Sequence, residues 1–107
     1  ITKAIQKSDN EGVSVLTSGS QSENPYKLFI APEMKEMIES LKKLFDHVIL
    51  DAPALSASAD SIALSQNVDG AILVVRRAHA RQKALQDFKN HTSQFSEKLV
   101  GLIVNDA

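Results

Sequence analysis

The stretch Asp46-His47-Val48-Ile49-Leu50-Asp51-Ala52-Pro53 decides how this chain is read. An apolar run closes on a carboxylate and then opens into small residues. Continuous apolar runs of this kind are typical of parallel strands that helices cover on both faces. Two more runs have the same form. Ala71-Ile72-Leu73-Val74-Val75 ends at Arg76, and Val100-Gly101-Leu102-Ile103-Val104 ends at Asn105. A weaker fourth strand is expected at residues 13–17, where Val13 and Val15 alternate with Ser14.

Helical patterns fill the spaces between these runs. Met34, Met37, Ile38, Leu41, Leu44 and Phe45 recur at the spacing of one helix face. Glu33, Lys35, Glu36, Glu39, Lys42 and Lys43 occupy the other face, and Pro32 suits the first turn. A second helix is expected at residues 82–95, with Leu85, Phe88 and Phe95 facing inward. Residues 60–66 read as a short helix capped by Ser58 or Asp60. Residues 1–7 read as the end of another, since Ile1, Ala4 and Ile5 share a face. Polar or small residues at 18–25 and 52–60 read as loops. Strands alternating with helices predict an α/β fold: about four strands in one parallel sheet, joined by right-handed crossovers, with helices on its faces.

At 107 residues the chain has room for one core, so residues 1–107 are read as a single domain. Twelve Lys and Arg against thirteen Asp and Glu leave a net charge of −1, which gives no basic footprint for nucleic acid. The apolar runs reach about five residues, far short of the roughly 20 that span a bilayer. The absence of cysteine excludes disulfides and thiolate metal sites. His47, His79 and His91 show no metal-ligand spacing.

Asp51 carries the most information. A carboxylate at the carboxyl end of a strand stands where open α/β sheets bind ligands. Apolar residues closing on Asp also describe a Walker B strand, whose carboxylate orders the magnesium that bridges nucleotide phosphates. The same pattern fits an Asp that only caps the following loop. Asn105 ends the last expected strand on the same edge. Its amide suits hydrogen bonding to a purine, and it equally suits a turn. Asp60 reads as a helix cap, and Asp69-Gly70 as a turn. Arg76 and Arg77 close a strand, as exposed arginines often do. Nowhere is there a G-x-x-x-x-G-K-[ST] run, and the four glycines, at 12, 19, 70 and 101, are scattered. A phosphate-cradling loop is therefore missing from these residues.

Taken in order, these motifs resemble a known family. Gly12-Val-Ser-Val-Leu-Thr-Ser-Gly19, Asn24-Pro25, the helix through Phe45-Asp46, Val48-Ile-Leu-Asp51-Ala-Pro53, Asp60, Val68-Asp-Gly-Ala-Ile-Leu-Val-Val-Arg76 and Val100-Gly-Leu-Ile-Val-Asn105 are similar to the bacterial tyrosine kinases of exopolysaccharide and capsule export. Those kinases belong to the MinD/ParA-like branch of P-loop ATPases. The resemblance runs over nearly the whole chain. It implies a partial P-loop (Rossmann-like) domain in three αβα layers, corresponding to the C-terminal portion of the catalytic domain. By the same resemblance Asp51 is the Walker B aspartate, holding Mg through water and helping activate the acceptor hydroxyl. Asn105 would lie beside adenine, and Pro53 in the nucleotide-site loop that follows Walker B. The implied cofactors are ATP and Mg in the parent protein, with none expected for the isolated chain. The implied partners are other copies of the kinase and a membrane polysaccharide co-polymerase, which would place the protein in the cytoplasm at the inner face of the bacterial membrane.

The chain also departs from the family pattern. Walker A and the family's second acidic motif are not among these residues. Asp-Thr-Pro-Pro is replaced by Asp51-Ala52-Pro53-Ala54, and the Thr expected near position 80 is Ala80. Tyr26 is the only tyrosine, so the tyrosine-rich tail that these kinases phosphorylate is not represented. The expected function is thus a part of such a kinase that is silent by itself. The alternatives are a piece of a MinD/ParA-like ATPase gated by ATP, a non-catalytic interaction module of the same fold, and a flavodoxin-like domain that matches by coincidence.

Overall fold

In a computed structural model of the chain, residues 2–20, 22–54, 60–77, 90, 93 and 96–106 are described. Helix α1 spans Pro25–Ile30 and α2 spans Pro32–Leu44. The Asn24 side chain caps α1 by accepting a hydrogen bond from the Lys27 amide at 3.3 Å, and Pro25 fills the first helical position. Ala31 separates the two helices with extended backbone (φ −68°, ψ 142°). A residue before proline is pushed out of the helical region, so Pro32 stops one helix and starts the next. In α2, Glu33 lies in the first turn and Lys42 and Lys43 in the last, which complements the helix dipole. The helix buries Ile38 and Leu41, three residues apart on one face. Helix α3, Asp60–Ser65, buries Ala63 and Leu64. These four side chains are the buried hydrophobic residues among those described.

Residues 6–7 (β1) and 14–15 (β2) form a small antiparallel hairpin, in which Gln6 faces Val15 and Lys7 faces Ser14. The Ser8 amide donates to the Val13 carbonyl at 3.0 Å, and Gly12 turns the chain at φ +79°. Strand Ala71–Arg76 (β3) pairs in parallel with Leu99–Asn105 (β4), in the register Leu73–Leu102, Val75–Val104 and Arg76–Asn105. A register shift falls between Ala71 and Ile72. A 3₁₀ turn, Ser96–Lys98, leads into β4.

Several expectations need correction. The 13–17 strand is only two residues long and does not join a parallel sheet. Residues 8–13 are too few for a parallel crossover, which takes about a dozen residues or more, so the chain reverses into a hairpin. The helix expected at residues 1–7 is a 3₁₀ turn at Thr2–Ala4 followed by β1, because Gln6 and Lys7 find their hydrogen-bond partners in β2. Residues 48–51 form no ladder. An apolar run becomes a strand only when a neighbour accepts and donates along it, and no described strand lies in register with this one. Burial still alternates there: Val48 and Leu50 are half-buried, and Ile49 is 90% exposed. The described strands thus make two two-stranded sheets rather than one sheet of four. The parallel pairing of 71–76 with 99–105 and the helices at 34–45 and 60–66 agree with expectation. The helix expected at 82–95 lies largely outside the described residues. Helix α1 was not anticipated.

The parallel pair is apolar on both faces, yet Val74 is 62% and Val100 72% exposed. Parallel sheets are normally covered on both sides. No helix among the described residues is long and apolar enough to cross a membrane.

Candidate functional site

The carboxyl ends of β3 and β4 set the candidate Asn105 beside Arg76. Arg76 and Asn105 are register partners at the last rung of the ladder. One residue further on, Arg77 Nη1 lies 3.6 Å from Asp106 Oδ1. Both side chains are about three-quarters exposed, so this pair ties the strand ends only weakly. The parallel sheet therefore delivers Asn105 to the edge where the sequence pattern places it.

Asp51 lies on the unladdered 48–51 segment, and it is exposed. What holds its neighbourhood is a contact that the sequence did not signal. Ser61 Oγ, in the first turn of α3, donates a 2.6 Å hydrogen bond to the Pro53 carbonyl. The loop that begins at Asp51 is thereby fastened to α3.

Helix α3 is itself pinned at its far end. Lys98 Nζ donates to the carbonyls of Ser65 and Gln66, each at 3.0 Å. The Ser65 carbonyl also accepts the Val68 amide at 3.5 Å; a cation at the end of the helix adds a second donor there and complements the dipole. Asn67 Nδ2 donates to the Phe29 carbonyl at 3.0 Å and so joins the turn after α3 to α1. Lys42 reaches from α2 to Asp69 at 3.1–3.2 Å and to Glu39 at 3.5 Å. The hydrogen bond from Lys42 to Asp69, then the charge of Asp69, then that of Glu39 hold the Lys42 ammonium above the ordinary lysine value.

The residues present fit a nucleotide only in part. Asp51 offers an exposed carboxylate and Asn105 an amide at a strand end. A phosphate cradle needs backbone amides wrapped closely around the anion. The two glycines with positive φ, Gly12 and Gly19, have nothing within 4 Å of where a Cβ would stand, so neither forms a close cradle. Among the described residues no group of three or more His, Asp or Glu side chains is placed to hold a metal. A groove of about 350 Å³ between α1 and α2, lined by Leu28, Ala31, Glu33, Met34 and Met37, contains none of the candidate residues. Met34 and Met37, which read as core positions, are half-buried along it.

No protein-family model matches the chain. Individual relatives do. The chain is 33% identical over 95 residues to tyrosine-protein kinase CpsD of Streptococcus pneumoniae, covering 89% of this chain and 42% of that protein. It is 32% identical to tyrosine-protein kinase YwqD of Bacillus subtilis (96% of this chain, 44% of the relative). It is also 32% identical to tyrosine-protein kinase ptk of Acinetobacter johnsonii (95% and 14%). Among solved structures it superimposes on the VpsO kinase domain with a TM-score of 0.88 at 25% identity, over 100% of this chain and 53% of that one. The chain thus spans less than half the length of the curated kinases it matches and about half of the kinase domain. Over most of its length, then, the chain is similar to bacterial tyrosine-protein kinases.

Proposed function

We propose that these residues form part of the catalytic domain of a protein tyrosine kinase that regulates polysaccharide synthesis and export by ATP-dependent autophosphorylation. The observation that carries this reading is the match to three named tyrosine kinases over about nine-tenths of the chain. The parallel β3–β4 pair, ending on Arg76 and Asn105, supports it. The bare apolar faces of that pair fit a sheet that further strands and helices complete in three layers.

In this reading Asp51 is the Walker B carboxylate. It would hold magnesium through water and help activate the acceptor tyrosine hydroxyl. Asn105 contacts the adenine edge, and Pro53 shapes the loop that follows Asp51. Bound Mg-ATP would supply the phosphoryl group, with the metal neutralising charge on the phosphates. The phosphate cradle must come from residues other than these, so the 107 residues alone complete no transfer. The partners are other copies of the kinase and a membrane polysaccharide co-polymerase, which places the protein at the cytoplasmic face of the membrane. One of the chain's relatives is a succinoglycan biosynthesis transport protein, and this agrees with such a setting.

The test is phosphotyrosine formation by the full-length protein with Mg-ATP. Asp51→Asn keeps the shape and removes the charge, and it should lower transfer at least about 100-fold, in the range of losing one electrostatic catalytic group, with the fold unchanged by circular dichroism. Full activity in that variant would reduce Asp51 to a loop cap.

A further inference from the structure

We propose that Ser61 is a positioning residue for Asp51, a proposal that rests on the reading of Asp51 given above. Ser61 sits in the first turn of α3 and donates its hydroxyl to the Pro53 carbonyl at 2.6 Å. That distance is at the short end for a hydroxyl donor, so the contact is a well-formed one. It crosses eight positions of sequence and joins the loop that starts at Asp51 to a helix.

The helix is a firm post. Its C-terminal carbonyls are held by Lys98, the turn beyond it is tied to α1 by Asn67, and Ala63 and Leu64 are buried. The loop, by contrast, begins on a segment with no ladder. Residues 51–54 therefore lack the hydrogen bonds that normally fix a carboxylate at a strand end. Proline at 53 has no amide to donate, so its carbonyl is the backbone group there that a tether can use. Ser61 provides that tether and transmits the order of α3 to the carboxylate two residues before Pro53. Reaction geometry tolerates little misplacement of a catalytic group, so the hydroxyl acts on catalysis without touching substrate.

The experiment compares Ser61→Ala, Ser61→Thr and Asp51→Asn in the full-length protein. The first readout needs no nucleotide: heteronuclear ¹H–¹⁵N NOE values at Ala52 and Ala54. Ser61→Ala should lower them, and Ser61→Thr, which keeps a hydroxyl, should restore them. The second readout is autophosphorylation. Ser61→Ala should reduce kcat about 5- to 10-fold, within the range of small misplacements, and leave the KM for ATP within about twofold. Ser61→Thr should recover most of the rate. Alanine's higher helix propensity offsets part of the lost hydrogen bond, so the melting temperature should move by only a few degrees. If Asp51→Asn is inactive while Ser61→Ala matches the parent in either readout, the positioning role is overturned and the reading of Asp51 stands. The role is equally overturned if Ser61→Thr is as impaired as Ser61→Ala, since the hydroxyl would then not be the cause. An active Asp51→Asn variant overturns the reading of Asp51, and the positioning role falls with it.

Discussion

Truncating two leucines of the same helix separates burial from every other contribution. Leu41 and Leu44 both lie on α2, but Leu41 is 6% exposed and Leu44 is 56% exposed. Burying a whole leucine side chain is worth about 1.5–3 kcal/mol, so truncating the exposed Leu44 should cost about 1 kcal/mol or less. Leu41→Ala loses nearly the whole transfer term and also leaves a cavity, and such changes cost about 2–5 kcal/mol. The buried set described is small and flanked by exposed elements that can settle inward, which favours the low end, about 2–3 kcal/mol. Helix propensity shifts in the same direction in both variants, so the difference reports packing. In urea, with a slope of about 1–1.5 kcal/mol per molar for a domain this size, Leu41→Ala should lower the midpoint by about 2 M and Leu44→Ala by well under 1 M. Equal midpoint shifts would refute the packing argument, since they would mean that Leu41 is not held in a closed core.

Three other outcomes are expected. Lys98→Met removes the cation from two carbonyls at the end of α3; because the site is half-open, it should cost about 1 kcal/mol, below the range for fully buried charged hydrogen bonds, read from urea midpoints. The Lys42 ammonium is held above its ordinary value of 10.5, so what it adds to stability is fully present below that pH and is lost as pH rises through the higher folded value. The stability difference between the parent and Lys42→Met should therefore shrink between about pH 10 and pH 12, and a difference that grows with pH would contradict the assignment. Titrating Mg-ATP into the 107-residue chain should give no saturable amide shifts at Asp51 or Asn105 up to about millimolar nucleotide, since a carboxylate without phosphates holds magnesium weakly; saturation at micromolar nucleotide would reveal a phosphate site within these residues.

The sequence alone determined the elements whose cause is local. The 3.6-residue spacing from Met34 to Leu44 and the charges opposite it fix α2, because an apolar stripe on a helix needs no distant partner to define it. The runs 71–76 and 99–105 were legible as parallel strands, and so was the placing of Asn105 at their carboxyl end. The resemblance to bacterial tyrosine kinases was legible too, in the order of the short motifs. Tertiary structure decided the rest. Whether Val48, Ile49 and Leu50 form a strand depends on a neighbour and not on their own β propensity, and the same dependence turned Gln6, Lys7, Ser14 and Val15 into a hairpin. The bonds from Lys98 to Ser65 and from Asn67 to Phe29 span 33 and 38 positions, and the one from Ser61 to Pro53 spans eight. No local period encodes such contacts. A side chain meets a distant carbonyl only after the elements have packed, so the tethers around Asp51 exist only in the folded chain.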